Sequence, residues 1–201
     1  MTVEGANGRH NIHSPCAGES QITIRNKPKD LVGCCGLYCG LCGKYQSTAP
    51  SRCLGCRRGE QHSWCSIWNC CVKKHGFETC VECGDIAGCA IFLRRKVREW
   101  VPAAENLRQI KAAGLDNWLE GQIGRQGVLE KLLQDYNEGR SMGFYCTVCA
   151  RMPIGLINSA MNEAKKKIKA TKTERSDLKS KAKIMKASLN DSASKANIRL
   201  S

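Results

Sequence analysis

The sequence predicts a mostly α-helical fold in which a small, irregular cysteine-rich module is followed by a helical scaffold and a basic C-terminal helical tail. Three observations predict it. Twelve of the 15 cysteines lie between Cys34 and Cys89, where Gly and Cys alternate too often for long regular elements. From about residue 90 onward, apolar residues recur at helical spacing. From Glu163 to the end, 12 Lys/Arg face 4 Asp/Glu, still on a helical apolar period.

The boundaries that follow are 1–30 for an N-terminal lead, 31–90 for the cysteine module, 91–170 for a helical region packed on it, and 171–201 for the tail. The lead is polar and without periodicity, so it is expected to be disordered or loosely docked. His10, His13 and Cys16 are candidate ligands there, but a mobile tail accounts for them more simply.

Within the module, short helical turns are expected around 37–47 and 63–75. Ala90 to Trp100 reads as a helix. Pro102 suits the first turn of the next, 102–113, where its missing N–H is not needed. Leu107, Ile110 and Ala113 repeat at helical spacing, and Gly114 is a natural stop. Asp116 is placed to cap a short helix bearing Trp118 and Leu119. Val128, Leu129, Leu132, Leu133 and Tyr136 form the stripe of a further helix. Residues 139–152 read as a loop leading into the segment Phe144-Tyr145-Cys146-Thr147-Val148-Cys149. Pro153 then opens a helix with Ile157, Met161, Ala164 and Ile168 on one face. A last helix near 174–189 carries Leu178, Ala182, Met185 and Leu189.

Aromatic residues make up only 5% of the chain, so the module needs something besides apolar burial to hold it together. Disulfides or metal ions are the two chemistries available to dense cysteine. The first 30 residues lack an apolar signal core, and no run of 18 apolar residues occurs. A cytoplasmic protein without a membrane span is therefore expected. In a reducing compartment, repeated CxxC pairs argue for metal ligation over disulfides.

Cys39-Gly-Leu-Cys42 and Cys53-Leu-Gly-Cys56 are two CxxC pairs able to supply four thiolates to one tetrahedral ion. Each knuckle aims two sulfurs at one centre, and its glycines let the backbone turn tightly. Cys80-Val-Glu-Cys83 is a third pair, which Cys65 and Cys70 (or Cys71) would complete. Cys35 and Cys89 remain as alternative ligands. The surplus leaves the pairing open and would suit a shared-ligand cluster. Zinc, about two ions per chain, is the expected metal, because the pairs lie in Lys/Arg-rich surroundings without a ferredoxin CxxCxxC run. A [4Fe–4S] cluster is the alternative. Cys35-x3-Cys39-x2-Cys42 has the spacing of radical S-adenosylmethionine enzymes, but those need a large α/β barrel that a short helical chain cannot supply. Arg52, Arg57, Arg58, Lys73 and Lys74 could offset thiolate charge or be ordinary solvated bases. Cys146 and Cys149 cannot close a site alone. They read most simply as buried cysteines, with capping of a module ion or redox pairing as alternatives.

The run Cys35-Gly-Leu-Tyr-Cys39-Gly-Leu-Cys42 begins a recognisable order. It continues through Cys53-Leu-Gly-Cys56, Trp64-Cys65-Ser-Ile-Trp-Asn-Cys70, Gly76-Phe-Glu-Thr-Cys80-Val-Glu-Cys83 and Cys89. Over residues 33–93 this order resembles a bacterial and archaeal cysteine-rich family known as the domain-of-unknown-function 3795 family. Longer members look similar through Glu105–Lys111, Trp118-Leu119 and Gly139–Cys146. The resemblance implies zinc binding through Cys35, Cys39, Cys42, Cys53, Cys56, Cys65, Cys70, Cys80, Cys83 and Cys89, with no established biochemical role. Cys34 and Cys71 double up beside family positions and count as extras. Gly88 stands where the family often has proline, which loosens the turn before Cys89.

The sequence shows no hydrolytic triad, phosphate-binding glycine loop or HExxH motif. His62 and His75 flank a cysteine-rich helix but read more simply as surface histidines. An all-cysteine zinc site is usually closed, which argues against an enzyme, though thiol redox chemistry stays open. The net charge of +14 and the lysines from Lys165 to Arg199 allow salt-dependent contact with nucleic acid. The tail offers no aromatics for base stacking, so a solubilising face is the simpler reading. The function class expected is a zinc-stabilised module that contacts protein or nucleic acid. An iron–sulfur redox or cluster-handling protein and an accessory enzyme subunit are the alternatives.

Overall fold

The computed structural model describes residues 27–58, 64–94, 103–171 and 177–200. His10, His13, Cys16, His62 and Pro102 lie outside them, as does the helix expected beyond Arg94. Eight α-helices are described: α1 Gly43–Gln46, α2 Ser66–Trp68, α3 Ala90–Arg94, α4 Ala103–Ala113, α5 Leu115–Tyr136, α6 Met142–Arg151, α7 Ile154–Ala170 and α8 Leu178–Lys195. Short 3₁₀ turns at Pro28–Leu31, Cys39–Leu41, Cys80–Glu82 and Ile86–Gly88 link the cysteine segments. No strand occurs among the described residues; a single antiparallel bridge joins Val32 to Tyr38. The mostly-α class expected from the sequence is the one found.

Helix α4 buries Ala103, Asn106, Leu107 and Ile110, an i, i+3, i+4, i+7 face. That face covers the cysteine module. Gly114, at φ +82°, ends α4 and also stands at the N-cap of α5. Asp116 is therefore inside the first turn rather than the cap, where its charge still favours the helix N-terminus.

The two short helices expected between residues 116 and 136 are one continuous helix of 22 residues. Gly121, Gly124 and Gly127 should weaken it by about 1 kcal/mol each relative to alanine. Burial outweighs this: Trp118, Leu119, Leu129, Leu132 and Tyr136 are all buried, and each contributes on the order of 1.5–3 kcal/mol. The segment 139–152 likewise resolves into helix α6 rather than remaining mostly loop. Arg125 of α5 fixes its end by donating from Nη1 to the carbonyls of Cys149 (2.9 Å) and Met152 (2.6 Å). These are C-terminal carbonyls with no partner inside the helix. The fully buried Tyr145 donates its hydroxyl to the Tyr136 carbonyl at 3.1 Å, so its polar tip is satisfied.

Helices α7 and α8 form an antiparallel hairpin, the most extensively packed helix pair among the described residues. Ile157, Ala160, Met161 and Ala164 of α7 meet Ala182, Met185, Leu189 and Ala193 of α8, all buried. Asp177 caps α8 by accepting from the Ser180 amide at 2.9 Å. Lys186 of α8 pairs with Glu138 at 3.2 Å, tying α8 to the turn after α5. The basic tail is thus an integral helix that buries one face and shows its lysines on the other. Ser188 is buried within that inner face, with no hydrogen-bond partner for Oγ among the described residues. Ser188→Ala is expected to be neutral or to stabilise by up to about 1 kcal/mol, because a desolvated unsatisfied hydroxyl is removed. A lower midpoint in urea unfolding would contradict this.

Candidate metal centre

Two neighbouring thiol groups are built by the loops of residues 31–92. The first turn, 33–36, is tightly tied. Gly33 N–H donates to Leu37 O at 2.7 Å and Gly36 N–H to Gly33 O at 2.9 Å. Gly36 has φ +84°, and a Cβ there would lie 2.7 Å from the Ala103 carbonyl and 2.9 Å from Leu107 Cγ. Asn106 of α4 donates from Nδ2 to the Gly36 carbonyl at 2.8 Å in a buried setting. The turn carrying Cys34 and Cys35 is therefore seated directly on α4.

The second element is the 79–83 turn. Thr79 and Glu82 form a capping box, with Thr79 N–H donating to Glu82 Oε1 at 2.8 Å. The Cys80 amide donates to the Cys34 carbonyl at 2.8 Å, which places the two cysteine segments side by side. The third element follows α2, where the helix widens into a π turn over Asn69–Lys74. The wider turn changes the angular step per residue. Both Cys70 and Cys71, adjacent in sequence, then face one cavity.

These three elements bring the sulfurs of Cys34, Cys71 and Cys80 within 4.8 Å of one another, all three residues being buried. It is the single group of three such ligand atoms found among the described residues. The thiols share protons. Hydrogen bonds from Cys34 and Cys80 hold Cys71 down to about 4, with Arg57 and His75 acting the same way. Cys34 is raised far above the usual thiol range, first by its bond to Cys71, then by its bond to Cys80 and by burial. Within the group the hydrogen bonds favour thiolate at Cys71 and thiol at Cys34. A cation would take the place of the shared protons, since thiolates are the ligands metals bind.

The second group lies around the first two CxxC pairs. Cys39 and Cys56 are hydrogen-bonded through sulfur, which raises Cys39 and lowers Cys56 to about 7. The Gly55 amide donates to Cys53 Sγ at 3.4 Å, and Gly55 itself has φ +93° with its would-be Cβ 3.8 Å from Cys39 Sγ. The 53–56 knuckle thus abuts Cys39. Cys35 sits between the groups, buried, with its thiol pushed up to about 12 mainly by desolvation and also by Cys56 and Cys65. Cys42 is exposed and close enough to Cys146 for its charge to raise that thiol, whose shift to about 12 is mostly burial. Helix α6 packs on α1 and on the Cys39–Leu41 turn, so the distant CxxC does return to the module. Cys149 is fully buried and likewise raised to about 12 by desolvation first.

Of the ten cysteines nominated from the sequence, Cys80 belongs to the three-thiol group. Cys70, Cys83 and Cys89 line the cavity beside it. Cys35, Cys39, Cys53, Cys56 and Cys65 gather at or near the second group, with Cys42 at its outer side toward α6. Cys34 and Cys71, which the family order leaves as extras, supply the other two sulfurs of the three-thiol group. The signal for them was the doubling itself. The two pairs are used differently: Cys34 joins the triad while Cys35 turns toward Cys56 and Cys65, whereas Cys70 and Cys71 face the same cavity.

Among the flanking bases, Arg57 has a defined place. Its Nε donates to Val32 O at 2.8 Å and its Nη2 to Glu78 O at 2.9 Å, bridging the turns that bear Cys34 and Cys80. Its charge favours thiolate at both Cys71 and Cys56. Arg58 instead pairs with Asp30 at 2.9 Å. Arg57→Gln is expected to weaken metal binding by about 10–100-fold, the usual cost of losing an outer-sphere partner. Competition with a chromophoric chelator would measure it, and unchanged affinity would assign Arg57 to the backbone bridge alone.

The fold and the site together define a helical protein with clustered buried thiols able to hold a metal ion. Comparison with protein-family models, with curated proteins and with solved structures gave no match. No helix among the described residues is long and apolar enough to cross a membrane.

Proposed function

We propose that the chain is a structural zinc protein of the reducing cytoplasm, kin to the cysteine-rich family that its cysteine order resembles. Metals at the two thiol groups hold the module against the helical scaffold. The module and scaffold together serve as an interaction surface for protein or nucleic acid. The observation that carries the metal reading is the spacing of Cys34, Cys71 and Cys80, three buried sulfurs within 4.8 Å. A Zn–S bond of about 2.3 Å places tetrahedral thiolates about 3.8 Å apart, so a small contraction suffices to close on one ion. Thiolates on different irons of a cubane cluster stand farther apart, with the cluster between them. The spacing therefore favours a single ion over [4Fe–4S] at this triad.

The partner reading rests on charge. Lys165, Lys166, Lys167 and Lys169 of α7 and Lys179 and Lys183 of α8 are exposed on one hairpin, within a chain of net charge +14. An acidic partner, whether protein or phosphate backbone, is the complementary chemistry, and its binding should weaken steeply with salt.

Metal analysis of the full chain purified without oxygen tests the proposal. At least two zinc ions per chain and no visible absorption are expected. Stoichiometric iron and sulfide would overturn it in favour of an iron–sulfur protein.

A further inference from the structure

The three-thiol group opens onto a small cavity of about 30 Å³. Two of the triad, Cys71 and Cys80, line it, together with three thiols outside the triad: Cys70, Cys83 and Cys89. Apolar side chains such as Ile67, Ile86 and Phe92 make up most of the remaining wall. Five thiols around one apolar cavity are poorly matched to water or to an organic ligand needing hydrogen bonds. They are well matched to soft cations.

From these observations, and resting on the zinc reading above, we infer that the cavity holds a second ion, which shares Cys71 and Cys80 with the first in a binuclear thiolate site. The ligand count fits. Triad and cavity together present six thiols: Cys34, Cys70, Cys71, Cys80, Cys83 and Cys89. Two tetrahedral ions need four ligands each, eight positions in all. Six thiolates fill eight positions when two of them bridge, and two thiols, Cys71 and Cys80, belong to both the triad and the cavity lining.

Charge points the same way. Two separate four-thiolate zinc sites each carry −2, a total of −4. Two zinc ions sharing six thiolates carry −2 together. In an apolar cavity, less uncompensated charge is the less costly arrangement. Arg57, bridging the Val32 and Glu78 carbonyls beside the triad, and His75 on the cavity wall stand near the remainder.

Cys70, Cys83 and Cys89 stand half-buried at the rim. Gly84 and Gly88, next to Cys83 and Cys89, have open space on their Cβ side. The Phe92 amide already donates to Cys89 Sγ at 3.4 Å, a bond that favours thiolate.

Cadmium-113 NMR of the full chain, loaded with cadmium without oxygen, tests this directly. Three cadmium ions per chain are expected: one unsplit resonance from the Cys39–Cys56 group, and two resonances that split each other through the bridging sulfurs. Cys83→Ser should remove one ion and abolish the splitting while leaving a resonance from the triad. Bound cadmium with no mutual splitting in the unsubstituted protein overturns the shared site and leaves the zinc proposal standing. A protein that takes up no cadmium overturns both. The splitting is read on the unsubstituted chain, so the outcome does not depend on whether the variant folds.

Discussion

Replacing Cys80 with serine is expected to abolish tight metal binding at the triad and to remove most of the stability that zinc confers on the module. Cys80 is the pivot of the group: its sulfur meets Cys34 and Cys71, and its amide holds the Cys34 carbonyl at 2.8 Å. Serine keeps the backbone bond and roughly the shape but offers a hard, weakly acidic oxygen where a soft thiolate is needed. Loss of an outer-sphere partner costs about 10–100-fold in metal affinity, so loss of a direct ligand should cost more than about 100-fold. Metal binding free energy enters folding directly where the site does not exist in the unfolded chain. The difference in melting temperature between zinc-loaded and chelated protein should therefore shrink markedly in the variant. A full zinc complement with an undiminished difference would show that the triad is not a metal site.

Gly36→Ala is expected to destabilise the protein by about 3 kcal/mol with or without metal. Two costs combine. The backbone at φ +84° is unfavourable for a residue with a side chain, by about 1–2 kcal/mol. The new methyl would also sit 2.7 Å from the Ala103 carbonyl, a backbone atom that can move only if α4 moves, and overpacking of this kind costs about 1–3 kcal/mol. For a chain of this size the drop corresponds to roughly 6–12 °C. Chelation separates the two variants. The Cys80→Ser effect should vanish when metal is removed, whereas that of Gly36→Ala should persist, because it lies in the seating of the turn on α4. A Gly36→Ala protein that melts like the parent would mean the turn is free to lift from α4.

The contrast between these residues shows where the sequence is legible. Cys80 stands out as part of a CxxC, a local pattern whose geometry needs only a few residues. Gly36 looks like any other glycine of a cysteine loop. Its requirement comes from Ala103 and Leu107, almost seventy residues away, which no local spacing encodes. Arg57 is similar: its value lies in joining carbonyls at positions 32 and 78. In the scaffold, α7 follows its apolar stripe closely and α4 follows its own at Leu107 and Ile110, with Ala113 exposed, since a 3.6-residue period is a property of the chain itself. Helix α5 does not, because the glycines at 121, 124 and 127 suggest a break. Only burial against α4, α6, α8 and the cysteine turns outweighs that local preference.

By itself, then, the sequence determined the helical class and a thiol-rich chemistry suited to metal. Both are set by composition and short-range period. The tertiary structure alone decided which sulfurs meet. Cys34 and Cys71 join Cys80 because a tight turn, a π segment and a capped 3₁₀ turn converge there. Ligand grouping depends on where separate loops are anchored, and here the anchors are Asn106, Leu107 and Arg57, none of them a cysteine.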